Sequence, residues 1–223
     1  ATGVDVATKE SPLLAQMVEA GELPPVENRI QSDPQVVEVL DSLGRYGGRM
    51  RSLAPDPTGG YPELGWFNTH TVAELDRDFQ IVPCVAASFD LSDDYRVLTI
   101  HLREGMKWSD GEPFTTRDVE FWYEDVLLNE ELTPTLPQEF APGDEAFELE
   151  VIDDVTFRMH YGEPFPRVLD FISSMTTWAP FHHLKQYHIA YNDEANDIAK
   201  SEGYDQWWES YEYHAATGPA QQD

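Results

Sequence analysis

The chain has 223 residues, 42 of them acidic against 14 basic, for a formal net charge of −28. A surface this negative repels phosphate backbones and anionic headgroups, which argues against nucleic acid and membrane surfaces as partners. With 41% hydrophobic and 12% aromatic residues there is a real core to bury, so disorder along the whole chain is excluded as well.

The acids are spread along the entire chain. They read as a hydrated surface suited to salty surroundings rather than as a site for cationic ligands. Only Lys9, Lys107, Lys185 and Lys200 are lysines, and the remaining basic residues are arginines. Cys84 is the single cysteine, so no internal disulfide forms. No apolar run approaches the roughly 20 residues that cross a bilayer. Ala1–Asp5 has neither the basic start nor the apolar stretch of a secretion signal, so an exported protein would carry its signal outside this sequence or have lost it.

Ser11-Pro12 opens a short helix with Leu13, Leu14, Met17 and Val18 at helical spacing, stopped by Gly21. From Leu23 to Pro34 the chain is proline-rich and is expected to be extended. Gly47-Gly48 introduces an expected strand at 49–54, broken at Pro55-Asp56-Pro57, and the stretch to Gly65 reads as loop.

Tyr95–Arg103 alternates, with Leu98, Ile100 and Leu102 on one face, as in a half-buried strand. Ser109-Asp110-Gly111 is a turn. Thr115 and Asp118 form a capping box for a helix whose apolar stripe is Val119, Trp122, Tyr123, Val126 and Leu127. Glu148–Ile152 and Val155–His160 read as a hairpin turning at Asp153-Asp154, with Val155, Phe157 and Met159 inward. Short helices follow at 167–174 and 182–187, and a longer one at 194–213 is broken at Gly203. Strands and helices mix without regular βαβ alternation, which predicts an α/β or mixed α+β fold rather than a doubly wound nucleotide fold.

The common catalytic and cofactor signatures are absent, so no cofactor is expected. His182, His183 and His188 could offer imidazoles to a metal, but their spacing matches no standard site, and no metal is expected there. Paired carboxylates could serve a glycosidase. In so acidic a chain pairs occur everywhere, and Asp93-Asp94 and Asp153-Asp154 sit where turns favour Asp. Aromatic faces can hold sugars or peptide side chains. Trp122, Tyr123, Trp207 and Trp208 read as core, whereas Trp66 lies in a glycine-flanked loop that nothing requires to be buried.

The block His101-Leu102-Arg103-Glu104-Gly105-Met106-Lys107-Trp108-Ser109-Asp110-Gly111-Glu112-Pro113-Phe114-Thr115, running into Asp118-Val119, resembles the signature of family 5 solute-binding proteins of ABC importers. Ile81–Ala86 and Ser92-Asp93-Asp94 fit its lead-in. Phe121–Asp125, Leu132-Thr133-Pro134, His183–His188 and Trp207-Trp208 resemble a long-chain branch of the family, so the likeness covers about residues 45–213.

The resemblance implies a periplasmic-binding-protein-like type II fold. Residues 1–44 would be an N-terminal extension, and 45–223 part of lobe one with its small inserted subdomain. The second lobe has no counterpart in the sequence. It implies a monomeric, non-enzymatic receptor outside the membrane that hands a small solute to the ABC permease. Oligopeptides are the first expectation for that solute and oligosaccharides the alternative; a glycoside or metal-dependent hydrolase is the reading of another class. The loop after the first strand of lobe one would face the cleft, with Asp56, Thr58, Tyr61, Trp66 and Asn68 lining it.

Overall fold

The computed structural model describes residues 10–36, 46–49, 70–175 and 178–217. The chain divides into two compact units: residues 1–70 with 103–105, and residues 71–102 with 106–223.

In the first unit, helix α1 (Pro12–Glu19) is capped by the Ser11 hydroxyl, which accepts the Leu14 N–H at 3.2 Å. Gly21 then takes a left-handed backbone (φ 74) and ends it, as Gly can at no steric cost. The proline-rich stretch is not wholly extended, since Val26–Asn28 closes one 3₁₀ turn, with Asn28 N–H reaching the Pro25 carbonyl at 2.9 Å. Arg103 is buried and donates to the Asp33 carbonyl at 2.8 Å. The expected strand at 49–54 lies almost wholly outside the described residues.

Among the described residues, the second unit contains two antiparallel sheets. Strands β1 (Ala73–Leu75) and β2 (Ile81–Pro83) form a small hairpin, and β3 (Ala86–Leu91), β4 (Val97–Leu102), β5 (Glu148–Asp153) and β6 (Thr156–His160) pair in the order β3-β4-β6-β5. In β4 the alternation is as expected: Leu98 and Ile100 are fully buried and Leu102 nearly so. Their register partners on β6, Met159 for Leu98 and Phe157 for Ile100, are buried with them. Each such side chain contributes roughly 1.5–3 kcal/mol by leaving water.

Three strands were not evident from the sequence. β1 and β2 have three residues each, too short for a period to show, and β3 is only partly buried. Tyr95 and Arg96 belong to the β3–β4 turn rather than to β4, because the Ser92 hydroxyl accepts the N–H groups of Arg96 and Val97 at 3.2 and 2.9 Å. The second hairpin turns one residue later than expected. A bulge between Val151 and Asp153 lengthens β5, Asp153 pairs with Thr156, and the Asp153 carboxylate accepts the Val155 N–H. Val155 is therefore in the turn and only partly buried.

Helix α2 (Thr116–Phe121) has the full capping box at Thr115 and Asp118 and continues into a wider π-helical turn, Trp122–Leu127. The Leu128 N–H bonds five residues back to the Tyr123 carbonyl at 3.1 Å. Phe121 and Trp122, though adjacent, are both buried in different company. Phe121 meets Phe181, His188, Tyr191 and Tyr211, while Trp122 meets Phe140 and Trp178. Phe121 falls off the expected stripe because helices later in the chain cover its side of α2 as well. Those later helices are α3 (Val168–Ile172), α4 (Phe181–Leu184, with a 3₁₀ turn to Tyr187), α5 (Ala195–Glu202) and α6 (Trp207–Thr217). Gly203 (φ 95) separates the last two, as its sequence position predicts.

Candidate functional site

The five residues expected to line a ligand cleft, Asp56, Thr58, Tyr61, Trp66 and Asn68, lie outside the described residues. The strand that follows them is fixed in the second unit. Val72 donates to the Met175 carbonyl at 3.2 Å, and its own carbonyl accepts from Cys84 and Ala86 at 3.2 and 3.0 Å. Val72 and Ala73 are fully buried.

The signature block is built inward. Trp108 N–H donates to the Glu112 carbonyl at 2.8 Å, and Gly111 (φ 96) closes the turn onto the Trp108 carbonyl at 3.0 Å. The Trp108 ring stands edge-on to Phe114, with centroids 5.3 Å apart. The Thr116 N–H and hydroxyl donate to the carbonyls of Asp154 (2.9 Å) and Asp153 (2.7 Å), tying α2 to the β5–β6 turn. Asp118, almost fully buried, accepts Thr115 N–H on Oδ2 and Phe181 N–H on Oδ1, both at 2.9 Å. Asp110 meets His182 Nε2 at 2.7 Å, and this bond from His182 holds its carboxyl below the usual range. These groups hold strand, turn and helix together, and as a scaffold they leave the chemistry of a ligand unspecified.

The three histidines singled out by the sequence have separate partners. His182 pairs with Asp110. His183 lies edge-on to Tyr187, and burial, followed by the charges of His214 and His182, pushes its pKa down. His188 is buried with Nε2 3.0 Å from the Asp125 carbonyl, and burial pushes its pKa down also. No three His, Cys, Asp or Glu side chains converge on a common point among the described residues. Tyr191 donates to the Asp125 carboxylate at 2.6 Å, and its phenol is pushed up to about 12, first by burial and then by that bond.

Of the expected core aromatics, Trp122 and Trp207 are buried, while Tyr123 and Trp208 are partly so. An open cavity of about 540 Å³ in the second unit is lined by Gln138, Glu139, Phe165, Arg167, Asp170 and Phe171, among others. Its sequence signal was Pro164-Phe165-Pro166 before a short helix, which predicts the helix but not the hollow beside it.

Comparison with known proteins agrees with this scaffold. Residues 80–219 match the model of bacterial extracellular solute-binding proteins, family 5 Middle, which is well over half of the chain. The periplasmic alpha-galactoside-binding protein of Rhizobium meliloti (strain 1021) is 35% identical over 206 residues, 79% of this chain and 29% of that protein. A solved structure of oligopeptide-binding protein OppA superposes with a TM-score of 0.80 at 32% identity, covering 90% of this chain and 32% of the other. The periplasmic binding protein MelB of Agrobacterium fabrum C58, in complex with stachyose, gives a TM-score of 0.67 at 26% identity, over 83% and 32% of the two chains. The chain thus spans about a third of the length of these relatives. Its mixed α/β fold is part of a type II periplasmic-binding-protein fold. The chain belongs to the bacterial extracellular solute-binding proteins of family 5.

Proposed function

We propose that the chain forms part of the solute-binding component of an ABC importer, which captures a small oligomeric solute outside the membrane and delivers it to the permease. The observation that carries this reading is the family match across residues 80–219. The relatives are binding proteins, and this protein likewise makes and breaks no bond in its solute.

The ligand class that best fits is an oligosaccharide of the α-galactoside kind, supported by the 35% identity over 206 residues to a periplasmic alpha-galactoside-binding protein. Oligopeptides are the second reading, favoured by the superposition on OppA. In either case Asp56, Thr58, Tyr61, Trp66 and Asn68 line the cleft, with Trp66 offering a flat apolar face to a sugar ring or a side chain.

Calorimetric titration tests both readings. Raffinose, stachyose and a defined set of tri- to pentapeptides are added to the 223-residue chain and to the complete product of its gene. Binding of stachyose with loss on Trp66→Ala supports the first reading, and binding of peptides alone supports the second. Turnover of a chromogenic galactoside would overturn the receptor assignment.

A further inference from the structure

The cavity beside α3 is walled by two segments that the fold holds in place. One is the 3₁₀ turn Gln138–Phe140 and the loop onward to Gly143. There Phe140 N–H donates to the Pro137 carbonyl at 2.9 Å and Asp144 N–H to the Ala141 carbonyl at 3.0 Å. The other runs from Phe165 into α3, and Phe165 N–H donates to the Tyr95 carbonyl at 2.7 Å. Gly143 (φ 82) lets the chain pass close to Glu163, since a Cβ there would lie 3.0 Å from the Glu163 carboxyl carbon. The rings of Phe140 and Phe171 meet edge-on with centroids 4.9 Å apart, and Phe171 lies 6.3 Å from Phe165.

This frame presents two kinds of surface to the hollow. Phe165 and Phe171 are half-buried, so part of each ring stays accessible, while Gln138, Glu139, Arg167, Asp170 and Ser174 are exposed. The volume of about 540 Å³ falls within the roughly 300–1,000 Å³ of small-molecule sites, which likewise join apolar walls to a few polar groups. Charge then selects the ligand. An anion would face Glu139 and Asp170, and a cation would face Arg167. A zwitterion would have to part Arg167 from Asp170, whose Oδ2 lies 3.8 Å from the guanidinium Nε. A neutral ring bearing hydroxyls meets none of these costs. Each hydroxyl both donates and accepts, which suits carboxylates that only accept, a guanidinium that only donates and a carboxamide that does both. The C–H face of such a ring lies against a phenyl face.

We infer that this hollow is a saccharide-binding site in its own right, holding a neutral mono- or disaccharide unit through Gln138, Glu139, Arg167 and Asp170 against the rings of Phe165 and Phe171. The inference does not rest on the receptor reading or on the cleft residues named with it. Walls already pinned by backbone hydrogen bonds and ring contacts lose little freedom when a sugar enters. The polar side chains are exposed and do have to be ordered, so binding at this site is weak and fast.

The test is saturation-transfer NMR on the complete product of the gene with melibiose, sucrose and maltose, and with L-leucine and glycine betaine as the zwitterionic contrast. Wild type is compared with Trp66→Ala and with the double variant Glu139→Ala/Asp170→Ala. Both acids are exposed, so the double variant melts as wild type does and a folding defect does not confuse the result. At least one disaccharide is expected to bind Trp66→Ala as it binds wild type, with its Kd weakened roughly tenfold or more in the double variant, the scale of lost hydrogen bonds to charged groups. An unchanged Kd in the double variant, or no disaccharide signal from Trp66→Ala, overturns the site and leaves the receptor reading standing. Leucine or betaine binding that the double variant abolishes overturns the saccharide class. If a thiol placed by Glu139→Cys does not react with a maleimide in the complete protein, the hollow is covered by the protein itself and the site is overturned. Loss of stachyose binding at the cleft with melibiose still bound here would count against the receptor reading alone.

Discussion

Asp118, three residues into the α2 capping box, holds Phe181 from 63 residues away, with its Oδ1 accepting the Phe181 N–H at 2.9 Å. The same carboxylate closes the capping box on Thr115, so one side chain fixes both the start of α2 and the start of α4.

Replacing Asp118 therefore leaves two partly buried backbone donors without acceptors. Asp118→Ala is expected to cost about 3 kcal/mol, since each buried unsatisfied donor costs about 1–3 kcal/mol. Asp118→Asn keeps an acceptor oxygen and costs less. Urea denaturation followed by far-UV circular dichroism measures both, and equal, negligible losses would show that α4 is held by something else.

Truncating Phe121 is expected to be worse. Its ring is fully buried against Phe181, His188, Tyr191 and Tyr211, and Phe→Ala in such a core costs about 3–5 kcal/mol. Val151→Ala on the exposed face of β5 changes stability by about 0.5 kcal/mol or less. Chemical denaturation of the two variants side by side checks the contrast.

Acid weakens the fold through its hydrogen-bonded carboxylates. Asp110 is held down by the bond from His182, Glu150 by bonds from His160 and then Arg158, and Asp153 by the Val155 N–H. A carboxylate lowered in the folded state contributes stability that is present above its unfolded value, near 4, and is lost as pH falls through the folded value. Melting temperature should hold steady from pH 7 to about 5 and then fall toward pH 3. Asp110→Asn removes part of that acid-side slope, and a slope identical to wild type would show the His182 bond to be inconsequential.

Salt acts in the opposite sense. At net −28 the folded surface repels itself, and the Debye length shrinks from about 10 Å at 0.1 M to about 3 Å at 1 M. Melting temperature should rise through that range in KCl. A flat or falling curve would contradict self-repulsion as a cost to this fold.

Where one face of an element is buried, its pattern was visible in the sequence. Leu98, Ile100 and Leu102 alternate because β4 has a single buried face, and Thr115 with Asp118 announces α2 because a capping box is local chemistry. Gly203 marks a break between helices for the same local reason. Phe121 was missed because its burial comes from α4 and α6, elements far along the chain that no period within α2 encodes. The hairpin turn was misplaced by one residue because a bulge leaves no mark in hydrophobic pattern. The family signature was readable since it is contiguous, while a ligand site assembled from loops and pockets depends on distances that sequence order does not set.

The strand order β3-β4-β6-β5 also sets a timetable for folding. β4 can zip to β3 as soon as the ribosome releases them, but its other edge waits for β6, whose Thr156 pairs with His101. For the interval in which residues 103 to 155 are being made, the apolar residues of β4 border an open row of unpaired amides, the kind of edge on which nascent chains clump. Synthesis through the β5–β6 hairpin is the step that retires this hazard, so shielding of the newborn chain matters most before His160 emerges.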